Sequence, residues 1–262
     1  MTVLIFIAAT LGAVVLVQNA ALVVLGQPLQ LAIDARAGAT KAARLALKLL
    51  LQATLLAALA CYPLLAGSSV SAYYGTMLAA SDWHYCWQGW LFAVSLLGAL
   101  LLAESITGCF VPGARCARQQ LPARIALKLM SCVMVAAVEE PFFRGILLRD
   151  LLPATGAGPA IVLSAALFSG AHFLRRHKET WAAIGLFVLG VQLGIAFVVT
   201  GSLWLAMGLH SGGVLAIQVH RLLVERYRGP AWLIGTKDFP VAGVACITLM
   251  VAISVGIWRF LQ

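Results

Sequence analysis

Charged residues are scarce in this chain of 262 residues. Only 10% of the positions are Asp, Glu, Lys or Arg, whereas 62% are hydrophobic, and the mean hydropathy is +0.98. A soluble globular domain carries about 25% charged residues, so the composition excludes a water-soluble protein of ordinary type. It indicates instead a chain that buries most of its length in lipid.

The signatures of disulfide frameworks and of common zinc sites are missing as well. The six cysteines, at positions 61, 86, 109, 116, 132 and 246, include no CxxC pair, which argues against a disulfide scaffold and a zinc knuckle. There is no HExxH run and no internal repeat. No basic segment precedes the first apolar run, so we interpret that run as a retained helix and not as a signal peptide.

Apolar segments long enough to cross a bilayer follow one another along nearly the whole chain. A membrane-spanning helix needs roughly 20 apolar residues. The eight segments that meet this need are Val3–Leu25, Leu45–Ala66, Gly89–Thr107, Ala123–Leu152, Gly158–Leu174, Trp181–Val199, Leu203–Leu223 and Val241–Phe260. We therefore predict an all-α polytopic membrane protein, a bundle of about eight transmembrane helices, with residues 1–262 forming a single integral-membrane domain.

The positive charge of the chain is concentrated between alternate segments. The net charge of +9 would suggest nucleic-acid binding if it formed one surface patch. Instead, most Lys and Arg residues lie near the connections after the first, third, fifth and seventh segments. They are Arg36, Lys41, Arg44, Lys48, Arg115, Arg118, Arg124, Lys128, Arg175, Arg176, Lys178, Arg221, Arg226, Arg228 and Lys237. By the positive-inside rule these connections are cytoplasmic and both termini are outside. The charge therefore reflects membrane topology, and we expect no nucleic-acid partner.

Two adjacent carboxylates, Glu139 and Glu140, lie within the fourth apolar segment. A charged side chain at this depth costs about 3 kcal/mol, so such residues are candidates for a functional site. Arg144 follows Glu140 by four residues, which places the two side chains on one helix face. We expect Arg144 to hold Glu140 in one orientation and Glu139 to remain available for chemistry.

Two histidines and a glutamine lie at matching depths in the later segments. Glu139 and His172 are equally far from the centre of the turn 153–158, and Gln192 and His210 are equally far from Gly201. Equal arms of an antiparallel hairpin reach equal depth. We predict that Glu139, His172 and His210 converge on one water-accessible cavity within the membrane. Taken singly, each histidine and Gln192 also has a simpler interpretation as a polar contact between helices.

Glycines flank both Gln192 and His210. The runs 190–194 and 208–212 each begin and end with glycine, which is the GxxxG spacing that lets membrane helices approach closely. We expect at least one of these faces to pack against a neighbouring helix near His210. The strongest form of this prediction has the sixth and seventh segments in contact there, with the Gln192 amide hydrogen-bonded to His210.

The motifs within residues 138–215 resemble those of a known family, the type II CAAX prenyl-protease and bacteriocin-processing family of intramembrane endopeptidases, abbreviated CPBP or Abi. Its pattern is EExxxR, FxxxH and HxxxN or HxxxD on separate transmembrane helices. The runs 139–144 and 168–172 match the first two motifs. His210 matches the histidine of the third, whereas Val214 stands where the family often has an amide or a carboxylate.

The resemblance implies a role for each matched residue. Glu139 would be the general base that activates water, with Glu140 and Arg144 supporting it. His172 and His210 would bind the water and the developing oxyanion. These roles meet the needs of amide hydrolysis, namely a base for the water and donors for the tetrahedral oxyanion.

Two further residues would support the substrate or the oxyanion. Phe168 begins the second motif of the family. Gln192 is a candidate substitute for the polar group that is missing at Val214, because it is expected at the level of His210.

Zinc chemistry is an alternative for the same residues. Glu139, His172 and His210 make up the two-histidine, one-carboxylate set that holds zinc in some hydrolases. The absence of HExxH removes the helical zinc signature but not zinc itself. We favour the metal-free, glutamate-based mechanism.

Two other function classes stay open. A proton- or ion-coupled carrier would use the same carboxylates and histidines to relay protons or bind an ion, although no repeat symmetry is visible. An inactive scaffold or immunity-type protein of the same fold is compatible with Val214. For an endopeptidase, the resemblance implies a membrane-anchored protein or peptide as substrate. We expect a multi-pass protein of the lipid bilayer, in the cell (inner) membrane of a bacterium.

Overall fold

The computed structural model describes residues 2–30, 40–113, 116–175, 180–236 and 240–260, and most of them are helical. In chain order the helices are α1 (Thr2–Val24), α2 (Lys41–Leu65), α3 (Val70–Tyr74), α4 (His84–Ile106), α5 (Leu121–Glu140), α6 (Arg149–Thr155), α7 (Ala157–Arg175), α8 (Thr180–Thr200), α9 (Leu203–Leu223), α10 (Ala231–Ile234) and α11 (Val244–Phe260). A π-helix (Pro141–Leu148) joins α5 to α6. Short 3-10 turns lie at Ala80–Asp82, Arg118–Gln120 and Pro240–Ala242. Two short strands, β1 (Phe110–Pro112) and β2 (Val224–Tyr227), pair antiparallel.

All eight apolar segments predicted from the sequence correspond to helical regions. Within the described part of the chain, five helical regions are long and apolar enough to cross a membrane, namely Val3–Val24, Ala42–Leu65, Ala80–Ile106, Arg118–Thr155 and Trp181–Thr200. Two more, Ala157–His172 and Val244–Arg259, are apolar but shorter. The prediction of an all-α polytopic membrane protein is therefore confirmed, whereas the count of eight spans stays a prediction.

The chain forms two compact units. The first comprises Met1–Gly75 and Gly170–Lys178, and the second comprises Thr76–Ser169 and Glu179–Gln262. The single integral-membrane domain expected from the sequence stays a prediction, as does the orientation of the connections. Of the basic residues used for that orientation, some lie outside the described residues: Arg36, Arg115, Arg176, Lys178 and Lys237.

In the first unit, α1 packs against α2. Leu22 of α1 and Ala43 and Leu47 of α2 form a small buried cluster at their contact. The Tyr74 hydroxyl of α3 donates a hydrogen bond to the Leu59 carbonyl at 3.1 Å, which ties this short helix to α2.

In the second unit, α9 packs against α4, α5 and α8, and α11 packs against α8. Glycine allows two of the close approaches. A Cβ at Gly208 would collide with the Cys86 carbonyl of α4, and a Cβ at Gly190 of α8 would lie 2.9 Å from Cα of Ala165 on α7. The prediction that a glycine face is packed is therefore confirmed. The two faces point to different neighbours, because α9 uses its glycines against α4 and α8 uses its glycines against α7.

The core of the second unit surrounds α9. One buried cluster joins α4, α8, α9 and α11 and consists of Ala93, Leu193, Ala196, Leu205, Ala206, Leu209, Ile253 and Ile257. The other includes Phe110 of β1 and Val224 of β2. In the strand pair, which the sequence analysis did not predict, Phe110 lies opposite Tyr227. This pair holds the chain that follows α4 against the chain that follows α9.

Candidate active site

The two adjacent glutamates end α5, and the π-helix begins directly after them at Pro141. Proline lacks an N–H and clashes with the carbonyl of the preceding turn, so it interrupts α-helical hydrogen bonding. A short π-helical stretch can accommodate such an interruption within a longer helix, and such stretches are frequent at functional sites. Ser164 of α7 donates to the Phe143 carbonyl at 2.9 Å, which gives a backbone carbonyl of this irregular segment a tertiary partner. The segment is buried along its whole length.

Glu140 is completely buried and contacts two side chains. Arg144 Nη1 lies 3.2 Å from each oxygen of its carboxylate, and His210 Nδ1 lies 2.6 Å from Oε1. Because a carboxylate accepts hydrogen bonds, the Nδ1–H of His210 is the donor. The expected contact between Glu140 and Arg144 is present. Glu140 also orients His210, a role that the sequence analysis missed because α5 and α9 are not neighbours in the chain.

Arg144 has no exposed surface and is held by three elements. Besides its contact with Glu140, its Nη2 donates to the Gly190 carbonyl of α8 at 3.0 Å. Its Cζ lies 4.8 Å from the ring centroid of Phe168 on α7, within cation–π distance. A buried guanidinium needs a counter-charge and hydrogen bonds to be tolerated, and these three partners supply them. The carbonyl of Gly190 is the partner that no side-chain motif could have revealed.

Glu139 approaches the other nitrogen of the same histidine. Its Oε2 lies 4.0 Å from His210 Nε2, and both side chains are almost completely buried. This separation is longer than a direct hydrogen bond allows. Since the Nδ1–H of His210 bonds to Glu140, Nε2 is the ring nitrogen that faces Glu139. The imidazole of His210 thus has one carboxylate near each of its nitrogens.

Phe168 contacts both the histidine and the arginine. Its ring meets the His210 ring edge to face at a centroid distance of 5.9 Å, in addition to its contact with Arg144. It also packs edge to face on Phe143 at 5.2 Å. The aromatic residue of the second predicted motif therefore forms an apolar wall beside the buried charges.

Gln192 and His210 line one small cavity of about 60 Å³, together with Gly213 and Val214. The two residues therefore lie near each other, whereas the equal depth expected from the hairpin count stays a prediction. The stronger prediction of a hydrogen bond between them finds no support among the described residues, where His210 instead bonds to Glu140 through its Nδ1–H. Contact between α8 and α9 is present.

His172 lies on α7, four residues after Phe168, and is half-buried. It belongs to the segment Gly170–Lys178 of the first compact unit, and the convergence of its ring with Glu139 stays a prediction. Among the described residues, no group of three or more His, Cys, Asp or Glu side chains is arranged to hold a metal ion. The zinc alternative therefore gains no support from the described part of the chain.

A family model matches the region of the chain that contains these residues. Residues 121–215 match the family model for the type II CAAX prenyl endopeptidase Rce1-like proteins. No curated protein and no solved structure matches the chain. The matched region begins with α5, ends within α9, and contains every residue singled out above as a site candidate: Glu139, Glu140, Arg144, Phe168, His172, Gln192 and His210.

Proposed function

Since the Rce1-like match over residues 121–215 confirms the resemblance to the CPBP, or type II CAAX, protease family, we propose that this protein is an intramembrane endopeptidase that uses Glu139 to activate water. Its substrate is a membrane-anchored protein or peptide, cut near the bilayer. The observation that carries the proposal is the position of His210, with Glu140 at its Nδ1 and Glu139 opposite its Nε2. Such an arrangement supports a base and an oriented imidazole facing the same reacting group.

Glu139 is the proposed general base. Its carboxylate removes a proton from a water molecule as the water oxygen attacks the carbonyl carbon of the scissile bond, and the carbonyl oxygen becomes an oxyanion. Glu139 then returns the proton to the amide nitrogen, and the carbon–nitrogen bond breaks to release an acid and an amine.

Glu140 and Arg144 are proposed as positioning residues for His210. A carboxylate that accepts from one imidazole nitrogen fixes the ring orientation and tautomer, as in other hydrolytic sites. Nε2 of His210 then accepts a hydrogen bond from the attacking water. His172 is proposed to join from α7 as a second ligand of the water or the oxyanion, and Phe168 keeps bulk water away from Arg144 and His210.

The experiment that tests this proposal compares the membrane proteins of cells carrying wild type, Glu139→Ala or the control Glu225→Ala. Glu225 lies on β2 with its side chain 60% exposed, outside the buried site. A client of the protease should remain at its uncut length with Glu139→Ala and should be shortened with wild type and the control. If every membrane protein keeps one length and Glu139→Ala instead alters proton or ion flux, the carrier alternative is correct.

A purified assay complements this comparison. Its reporter peptide is a prenylated CAAX peptide with a fluorophore and a quencher on the two sides of the bond, chosen because the matching family is described as CAAX prenyl endopeptidases. Cleavage by wild type in the presence of a chelator supports the metal-free mechanism. Loss of cleavage that returns on adding zinc contradicts it.

A further inference from the structure

We propose that the side-chain amide of Gln192 donates a hydrogen bond to the carbonyl oxygen of the scissile bond and to the oxyanion that forms from it. This inference rests on the proposed function, since it assigns a further catalytic residue to the same site. It gives the substrate carbonyl a defined place, namely the small cavity that Gln192 of α8 and His210 of α9 line together with residues of α4 and α11.

The side-chain amide of Gln192 makes no hydrogen bond to another described residue. Only 3% of the residue is exposed, and it lines the cavity that His210 also lines. A polar atom of a ligand in the cavity would satisfy this amide, and a substrate carbonyl is such an atom.

The cavity has the size and the surface for one small polar group. Its volume is about 60 Å³, above the roughly 10–15 Å³ that one water molecule needs on the same measure, so it can hold a carbonyl group. Apart from Gln192 and His210, Cys246 contributes the only other polar side chain, a thiol, among the described residues that line the cavity. Gly213 keeps one wall open, because a Cβ placed there would meet nothing within 4 Å.

No hydrogen bond joins His210 to the Gln192 amide among the described residues. Nδ1–H of His210 is bonded to Glu140 and Nε2 faces Glu139, so the amide can act on a ligand in the shared cavity. Amide donors aimed at a developing oxyanion are among the strongest contributions to acyl-transfer catalysis. The donor and the imidazole come from α8 and α9, which are in contact and line the same cavity.

Val214 explains why α8 would supply this donor. It lies one helical turn after His210, lines the same cavity and is apolar, whereas the family pattern has an amide or a carboxylate at the corresponding position. In this chain the polar group on the cavity wall is instead Gln192. An amide placed at position 214 should therefore substitute for it.

The first test measures cleavage of the reporter peptide by Gln192→Leu, by Gln192→Leu/Val214→Asn and by Gln52→Leu. Gln52 is the matched control, because it is a glutamine of α2 with only 5% exposure and lies in the other compact unit. Removing one oxyanion donor lowers kcat by roughly 10²–10³-fold, and we expect Gln192→Leu to show that loss with KM changed by less than about threefold. The double variant returns a donor to the cavity, so its kcat should be at least about tenfold higher than that of Gln192→Leu. Gln52→Leu should behave like wild type.

A kcat for Gln192→Leu within about twofold of wild type would overturn the inference while leaving the proposed function intact, because one lost donor should cost far more. If wild type does not cleave the reporter peptide or any client, the proposed function has failed, and thermal unfolding then decides about Gln192. Removal of an unsatisfied amide should leave Tm unchanged or higher. A fall of more than about 4 °C for Gln192→Leu would mean that the amide stabilises the fold as an ordinary contact between helices, and the inference is then wrong.

Discussion

Nδ1 of His210 lies 2.6 Å from Oε1 of Glu140, within the contact between α9 and α5. The two residues are 70 positions apart in the chain, and their bond joins the acidic motif to the later histidine motif. Arg144 holds the same carboxylate from one helical turn away. These three side chains therefore form one buried network, in which the loss of any member leaves the others incompletely satisfied.

Breaking the pair of Glu140 and Arg144 should destabilise the protein strongly. Glu140→Gln leaves a buried guanidinium without its counter-charge, and Arg144→Met leaves a buried carboxylate, so each should lower the free energy of unfolding by about 3–5 kcal/mol. The double variant should lose less than the sum, because neither charge is then left alone. Unfolding of the purified proteins in detergent measures all three.

The exposed pair of Glu225 and Arg226 provides the control for this cycle. Their side chains are 60% and 67% exposed and lie 3.6 Å apart, so Glu225→Gln should change stability by no more than about 1 kcal/mol. Two results would contradict the coupling of Glu140 and Arg144. One is a loss of stability in their double variant equal to the sum of the single losses, and the other is a loss of the same size in Glu225→Gln.

The approach of α9 to α4 should depend on the missing side chain of Gly208. In Gly208→Ala the new methyl group would collide with the Cys86 carbonyl, and we expect a loss of about 1–3 kcal/mol from overpacking. Gly98 of α4 is the matched control, because a Cβ there would meet nothing within 4 Å. Gly98→Ala should be neutral or stabilise by about 0.5–1 kcal/mol through helix propensity. Equal Tm values for the two variants would show that Gly208 is not needed for the contact.

The eight apolar helical regions could be predicted from the sequence because each forms a long apolar stretch of the chain, whereas short helices such as α3 and α10 carry no such signal. The partners of those helices could not be predicted in the same way. The GxxxG spacing indicated close packing at Gly190 and Gly208, but any small neighbouring surface satisfies that pattern, and the structure uses α7 and α4. Counting from the turn at Gly201 indicated that Gln192 and His210 lie near each other, as their shared cavity shows, because the arms of a hairpin are local in the chain.

Contacts between helices that are distant in the chain lay beyond this reasoning. The bond from His210 to Glu140 depends on how α9 crosses α5, which no local count contains. Arg144 donates to the backbone carbonyl of Gly190. Because every residue has such a carbonyl, the residue types in the sequence do not indicate this contact. The π-helix after Pro141 also has a tertiary partner, the hydroxyl of Ser164, and the proline alone indicates an interruption of the helix but not its form.

The orientation in the membrane is open to a direct test. The distribution of Lys and Arg predicts that the turn at Gly156 lies outside and that the connection ending at Lys178 lies in the cytoplasm. Reporter domains fused after each of these residues should therefore report opposite sides. Signals from one side for both fusions would contradict the predicted topology.

The measurement that tests the central claim most directly is the rate of reporter-peptide cleavage by purified Glu139→Gln, taken together with its Tm. Loss of a general base lowers the rate by roughly 10²–10⁴-fold, and we predict a loss of that size. The Tm should stay within about 4 °C of wild type, because Glu139 is not the counter-charge of Arg144. Glu225→Gln should cleave at the wild-type rate. A Glu139→Gln protein that cleaves normally, beside a Glu140→Gln protein that folds normally and is inactive, would contradict the account by reversing the roles of the two glutamates.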